Sequence, residues 1–131
     1  MKFSALFLML ASVAFCDVAR INPKEASQLV AEGKAILIDV REPKEWAQTG
    51  VATPAHLLSK SDFDGEQKEW KPFLATVGEK QLILYCHSGR RAGVVAEALN
   101  RLGYKASNAG GLADWKKAGL PTRQLQEAAA K

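Results

Sequence analysis

Cysteine is scarce in this chain: Cys16 and Cys86 are the only two in 131 residues. An exported chain ordinarily pairs its cysteines, so one left over is a candidate free, reactive thiol. No long run of like charges occurs, and the formal charge of +4 is spread along the chain. The basic stripe of a nucleic-acid surface is therefore missing, and the mild positive balance suits a small anionic ligand. No apolar run approaches the roughly 20 residues of a membrane helix, which excludes stable membrane insertion. Apart from a short Ala-rich C-terminus there is no low-complexity tract, and no internal repeat or domain linker, so disordered and fibrous classes are excluded. What is present, 47% hydrophobic and 24% charged residues, suits one globular domain with a core of useful size.

Residues 1–16 read differently from the rest. Lys2 precedes the apolar run 5–15, and the first carboxylate is Asp17. This is the pattern of a signal peptide, with small residues at Ser12 and Ala14, or Ala14 and Cys16, placed for cleavage around Phe15. The expected product is residues 17–131, a single domain with a short C-terminal tail, exported to the periplasm. Cys16 raises a second processing, with a lipid anchor on that cysteine, although the bulky Phe15 ahead of it fits poorly. The rival structural reading makes 3–15 an ordinary buried first helix.

Asn22, Pro23 and Glu25 supply a cap, a first-turn proline and an acidic third residue, so a helix is predicted there, with Ala26, Leu29 and Val30 inward and Gly33 as its stop. The run 35–38 is an apolar segment of strand length, as expected for a strand covered on both faces. A short helix is expected at 43–47, then a turn-rich stretch with a buried segment at 55–58. Trp70, Phe73, Leu74 and Val77 fall at helical spacing and predict an amphipathic helix closed by Gly78. The second clear strand, 81–85, runs straight into Cys86-His87-Ser88-Gly89-Arg90-Arg91. A helix follows with Ala92, Val95, Ala96, Leu99 and Leu102 as its apolar face and Gly103 as its stop. A last strand at 105–108, a tight turn at Gly110-Gly111 and a final helix at 112–118 packing Trp115 complete the chain. Strands alternating with helices predict an α/β fold, a central mostly parallel sheet of about five short strands with helices on both faces.

A thiol at the carboxyl end of a strand, in a loop that feeds a helix N-terminus, meets several backbone N–H groups and the positive end of the helix dipole. Such a spot favours anions, the nucleophilic thiolate among them. Gly89 lets the backbone curl tightly, Arg90 and Arg91 add forked donors that match oxyanions, and His87 and Ser88 are further candidate donors. The competing reading of Cys86 as a buried core cysteine explains neither the glycine nor the two arginines beside it.

The chain resembles the rhodanese family. Leu37-Ile38-Asp39-Val40-Arg41-Glu42 with Glu45-Trp46 is similar to the family's Asp-Val-Arg segment. Tyr85-Cys86 with Gly89 and Arg91 resembles its active-site loop, and Ala98-Leu99 through Leu102-Gly103-Tyr104 the helix and turn behind it. Asn108-Ala109-Gly110-Gly111-Leu112 with Trp115 resembles its Gly-Gly and Trp element. The resemblance spans about residues 20–121 and implies a rhodanese-like fold and thiosulfate sulfurtransferase activity. On that footing Cys86 is the nucleophile and sulfur carrier, held as a persulfide, and His87, Ser88, Gly89, Arg90 and Arg91 cradle the substrate anion. Thiosulfate is the implied donor and cyanide or a thiol the acceptor, with no cofactor and no metal.

The stretch 50–55 departs from the family's wording, which leaves His56 either at the pocket rim or facing solvent. Asp39 and Arg41 are read as an ion pair that caps a turn, and Trp46, Trp70 and Trp115 as packing residues. Two rival functions stand. A cysteine phosphatase or arsenate reductase needs an arginine six residues past the cysteine, where this chain has Ala92. A non-catalytic module would use the basic loop to bind an anion or a partner.

Overall fold

The structure, a computed structural model, describes residues 18–125, so the expected signal peptide and Cys16 lie outside the described residues. The order of elements is α1 (Pro23–Ala31), β1 (Ala35–Asp39), α2 (Pro43–Thr49), β2 (Val51–Ala52), β3 (His56–Leu57), α3 (Lys60–Asp64), α4 (Trp70–Leu74), β4 (Gln81–Cys86), α5 (Arg90–Arg101), β5 (Ala106–Gly111), α6 (Leu112–Lys117) and β6 (Thr122–Arg123). Four strands form a parallel sheet in the order β3-β1-β4-β5, and β2 pairs with β6 in a small antiparallel ribbon. Arg20 bridges Asn108 in parallel, which lengthens the sheet beyond β5 by one contact.

Successive side chains of β1 and β4 point to opposite faces, and both faces are covered, as continuous apolar strands require. Ile38, Val40, Leu82, Leu84 and Cys86 face Trp70 and the inner side of α5. Leu37, Ile83 and Tyr85 face Ala26 of α1 and Leu112 and Trp115 of α6. Asn22 caps α1 by accepting from Lys24 N at 2.8 Å, and Gly33 leaves the helix at φ 73°, as the sequence predicts.

Three local expectations are corrected. The amphipathic stretch at 70–77 stays helical only through Leu74; Trp70 and Val77 are buried all the same, with the Trp70 indole donating to Ser59 O at 2.8 Å. Leu102, expected on the inner face of α5, is 66% exposed, because the helix ends at Arg101 and Leu102 is its cap. Gly110-Gly111 is no free turn: both glycines complete β5 and lead directly into α6.

The three tryptophans are buried as expected. Trp115 donates to Pro121 O at 2.8 Å, whereas the buried Trp46 indole N–H has no acceptor among the described residues. His56 is exposed, its ring tilted on Phe73 at 5.5 Å between centroids.

Candidate active site

From β1 the chain crosses to β3 on one side of the sheet, and from β4 it crosses to β5 on the other. The carboxyl ends of β1 and β4 therefore border the crevice where connections diverge, the usual ligand position in open α/β sheets. Asp39 is the last residue of β1 and Cys86 the last of β4.

Cys86 is fully buried, and the Gly89 N–H donates to its Sγ at 3.0 Å. That bond exists because Gly89 turns back at φ 93°, a conformation costly for any residue with a Cβ. The same residue is the N-cap of the 12-residue helix α5 and has no side chain with which to cap it. The first N–H groups of α5 thus lack intrahelical acceptors and lie in the loop that holds the sulfur, together with the positive end of the dipole. His87, Ser88 and Arg90 are exposed around this loop, and Arg91 is partly covered.

Strand β5 builds the other wall. Its register against β4 slips between Leu84 and Cys86, so that Leu84 faces Asn108 but Cys86 faces Gly111. A bulge of this kind re-aims the end of a strand, and here it brings the Gly-Gly pair under the loop. A Cβ on Gly111 would run into the His87 carbonyl, and one on Gly110, at φ 88°, would stand 2.7 Å from Asp114 Oδ2. Buried Asn108 fastens the two walls: its Nδ2 donates to Gly89 O at 2.8 Å and its Oδ1 accepts from Gly110 N at 2.9 Å. Asp114 accepts from Gly111 N at 2.8 Å at the start of α6.

The β1 side supplies a buried ion pair. Arg41, 1% exposed, gives Nε and Nη2 to Asp39 at 2.8–3.1 Å, Nη1 to Thr49 Oγ1 at 2.8 Å and Nη2 to Gly50 O at 2.8 Å. Burial opposes the Arg41 charge most strongly, yet the hydrogen bonds and charge of Asp39, with Tyr85 and Glu45, raise its pKa overall. Tyr85, beside Cys86, accepts from Ala52 N at 2.9 Å, and burial first and Asp39 second push its phenol well above the ordinary range. Asp39 and Arg41 therefore hold α2 and the ribbon in place, the ion-pair and turn-capping role expected from sequence.

Helix α2 in turn presents Glu45, which takes both Arg91 nitrogens, Nη1 at 2.6 Å and Nη2 at 2.8 Å. These hydrogen bonds hold the Glu45 pKa down to about 2. The Arg91 pKa is raised, by Glu45 foremost and by the nearby Cys86 as well. The structure thus brings together Cys86 and the five loop residues singled out from sequence, but it engages the Arg91 guanidinium with a carboxylate 46 positions away. Asn108, Asp114 and Arg20, whose guanidinium lies against Gly89 and Gly110, join these residues with no role predicted for them from sequence. The Asn108-to-Gly111 motif was the only available signal for the first.

The rhodanese-like domain profile matches residues 22–118. An uncharacterised protein of Synechocystis is 36% identical over 110 residues, 82% of this chain, and the chain spans 58% of that protein's length. Thiosulfate:glutathione sulfurtransferase of Saccharomyces cerevisiae is 28% identical over 112 residues, 79% of this chain and 76% of that protein. Among solved structures, the polysulfide-sulfur transferase homodimer of Wolinella succinogenes is similar with a TM-score of 0.65 at 27% identity, covering 86% of this chain and 83% of its own. The matched span contains both walls of the Cys86 site, and the chain belongs to the rhodanese family, among relatives that include named sulfurtransferases.

Proposed function

We propose that this protein is a thiosulfate sulfurtransferase with Cys86 as its sulfur carrier. The observation that carries the reading is the Gly89 N–H donated to a buried Cys86 Sγ at 3.0 Å, in a loop that starts an uncapped 12-residue helix. Those donors stabilise negative charge on sulfur before and after transfer, without rearrangement at the moment of reaction.

The Cys86 thiolate attacks the outer sulfur of thiosulfate. A bond forms between Sγ and that sulfur, the sulfur–sulfur bond of thiosulfate breaks, and sulfite leaves with the electron pair. The product is a Cys86 persulfide anion, whose outer sulfur takes the place near the loop amides. An acceptor thiolate or cyanide then attacks that sulfur, forms a new persulfide or thiocyanate, and returns the Cys86 thiolate. The backbone of His87 to Arg91 cradles both anions. Arg91 contributes a fixed positive charge, oriented by Glu45, while the exposed Arg90 meets the incoming dianion. The phosphatase spacing has nothing to act with, since Ala92 is a fully buried core residue.

On the sequence pattern of residues 1–16 we further propose that the leader is removed and that the domain works in the periplasm. Intact mass of the exported protein before and after thiosulfate, and then after cyanide, tests the whole reading. The expected result is a gain of one sulfur that cyanide removes and that Cys86→Ser abolishes, on a chain already shortened by its leader. No gain on a free thiol would remove thiosulfate as donor and leave another sulfur donor or the binding-module reading.

A further inference from the structure

Residues 19–21 run beside β5. Asn108 N donates to Ala19 O at 2.9 Å, and Ile21 N donates to Asn108 O at 3.1 Å. The side chain between these two bonds is Arg20, and its guanidinium reaches the end of β5. Its Nη1 lies 3.1 Å from the position of a Cβ on Gly89, and its Nη2 lies 3.5 Å from that of a Cβ on Gly110. Gly89 is the residue whose N–H holds the Cys86 sulfur. Arg20 thus lies against the residue that donates to the sulfur, on a segment remote from it in sequence.

The other arginines show how unusual this is. Arg41 is bound by Asp39, Arg91 by Glu45 and Arg101 by Glu97, and Arg123 donates to the carbonyls of Thr53 and Ala55. The side chains of Arg20 and Arg90 alone make no hydrogen bond or ion pair among the described residues, and both border the Cys86 loop. Asp114, whose carboxylate approaches the same Gly110, already accepts from Gly111 N and forms no ion pair with Arg20. An exposed guanidinium with no carboxylate partner among the described residues, beside an anion-binding loop, is a ready partner for an incoming oxyanion, because its forked N–H groups match a sulfonate.

We infer that Arg20 is a binding residue for the anionic sulfur donor: it takes the sulfonate end of thiosulfate while the outer sulfur faces Cys86. This rests on the thiosulfate reading above and adds a specificity element to it. Arg20 and Arg90 reach the loop from two different elements, so the site selects donors that carry an oxyanion group.

The test compares wild type, Arg20→Gln and Arg20→Lys. Cys86 persulfide is read by intact mass across a thiosulfate series at low and raised salt, alongside steady-state turnover and thermal midpoint. In Arg20→Gln the half-saturating thiosulfate concentration and KM should rise about fivefold, the effect of one partly exposed charge contact. Its kcat should stay within about twofold, its midpoint should be unchanged and its salt dependence weaker. Arg20→Lys should recover most of the affinity. Equal half-saturation in wild type and Arg20→Gln would overturn the inference and leave the sulfurtransferase reading standing. A lower kcat with a lowered midpoint would also overturn it, since Arg20 would then be structural. A wild-type protein that gains no sulfur at any thiosulfate concentration would remove both.

Discussion

Glu45 and Arg91, 46 positions apart, form a two-pronged ion pair at 2.6 and 2.8 Å that ties α2 to the first turn of α5. Its worth is limited because each side chain remains about 30% exposed. Glu45 also accepts from the Glu42 N–H at 3.2 Å, so one carboxylate caps its own helix and steadies the sulfur loop.

Glu45→Gln should therefore cost about 1 kcal/mol or less at neutral pH. The pH dependence carries the clearer signature. Glu45 is depressed from an ordinary 4.5 to about 2. A depressed carboxyl stabilises the fold fully above its unfolded pKa, and that contribution fades as pH falls from about 4.5 towards 2. The gap between the urea midpoints of wild type and Glu45→Gln should be largest at pH 7, smaller at pH 3 and closed only towards pH 2; a gap that is the same at pH 7 and pH 3 would refute the assignment.

Asp39→Asn tests the deeper pair. It leaves the Arg41 charge buried with neutral hydrogen-bond acceptors and no counter-charge, and the loss of one member of such a pair costs about 3 kcal/mol or more. The urea midpoint should drop with an unchanged slope. A loss below about 0.5 kcal/mol, the range of an ordinary surface substitution, would show that the pair is idle in folding.

Two glycine-to-alanine changes should differ for reasons visible in the structure. Gly103, at φ 97°, faces open space, so alanine there meets only backbone strain of about 1–2 kcal/mol. Gly111 abuts the His87 carbonyl, and alanine there must push the loop away from β5. Gly111→Ala should abolish sulfur loading while Gly103→Ala loads normally, with loading read by intact mass on both purified proteins. Normal loading by Gly111→Ala would mean that the loop tolerates displacement.

Much of this was legible locally. The Asn22 cap, the two apolar strands, the stop at Gly33 and the strand-to-loop-to-helix passage at Cys86 depend on residues a few positions apart, where propensity and hydrogen-bonding chemistry act directly. Leu102 shows where that reasoning ends, because periodicity continues past a helix whose backbone does not. Gly110-Gly111 reads locally as a turn, and only the loop lying over it explains why both positions must lack a side chain.

The sequence by itself determined the α/β alternation, the core faces of its strands and the place of the Cys86 thiol at the carboxyl end of a strand, since each is written in spacing and residue type. Tertiary structure alone decided that Arg91 is held by Glu45, that Asn108 joins Gly89 to Gly110, and that Arg20 lies beside the sulfur loop. These are contacts between segments dozens of residues apart. They exist only after the parallel crossovers bring the carboxyl ends of β1, β4 and β5 to one edge of the sheet, and no local pattern encodes which charges will meet there.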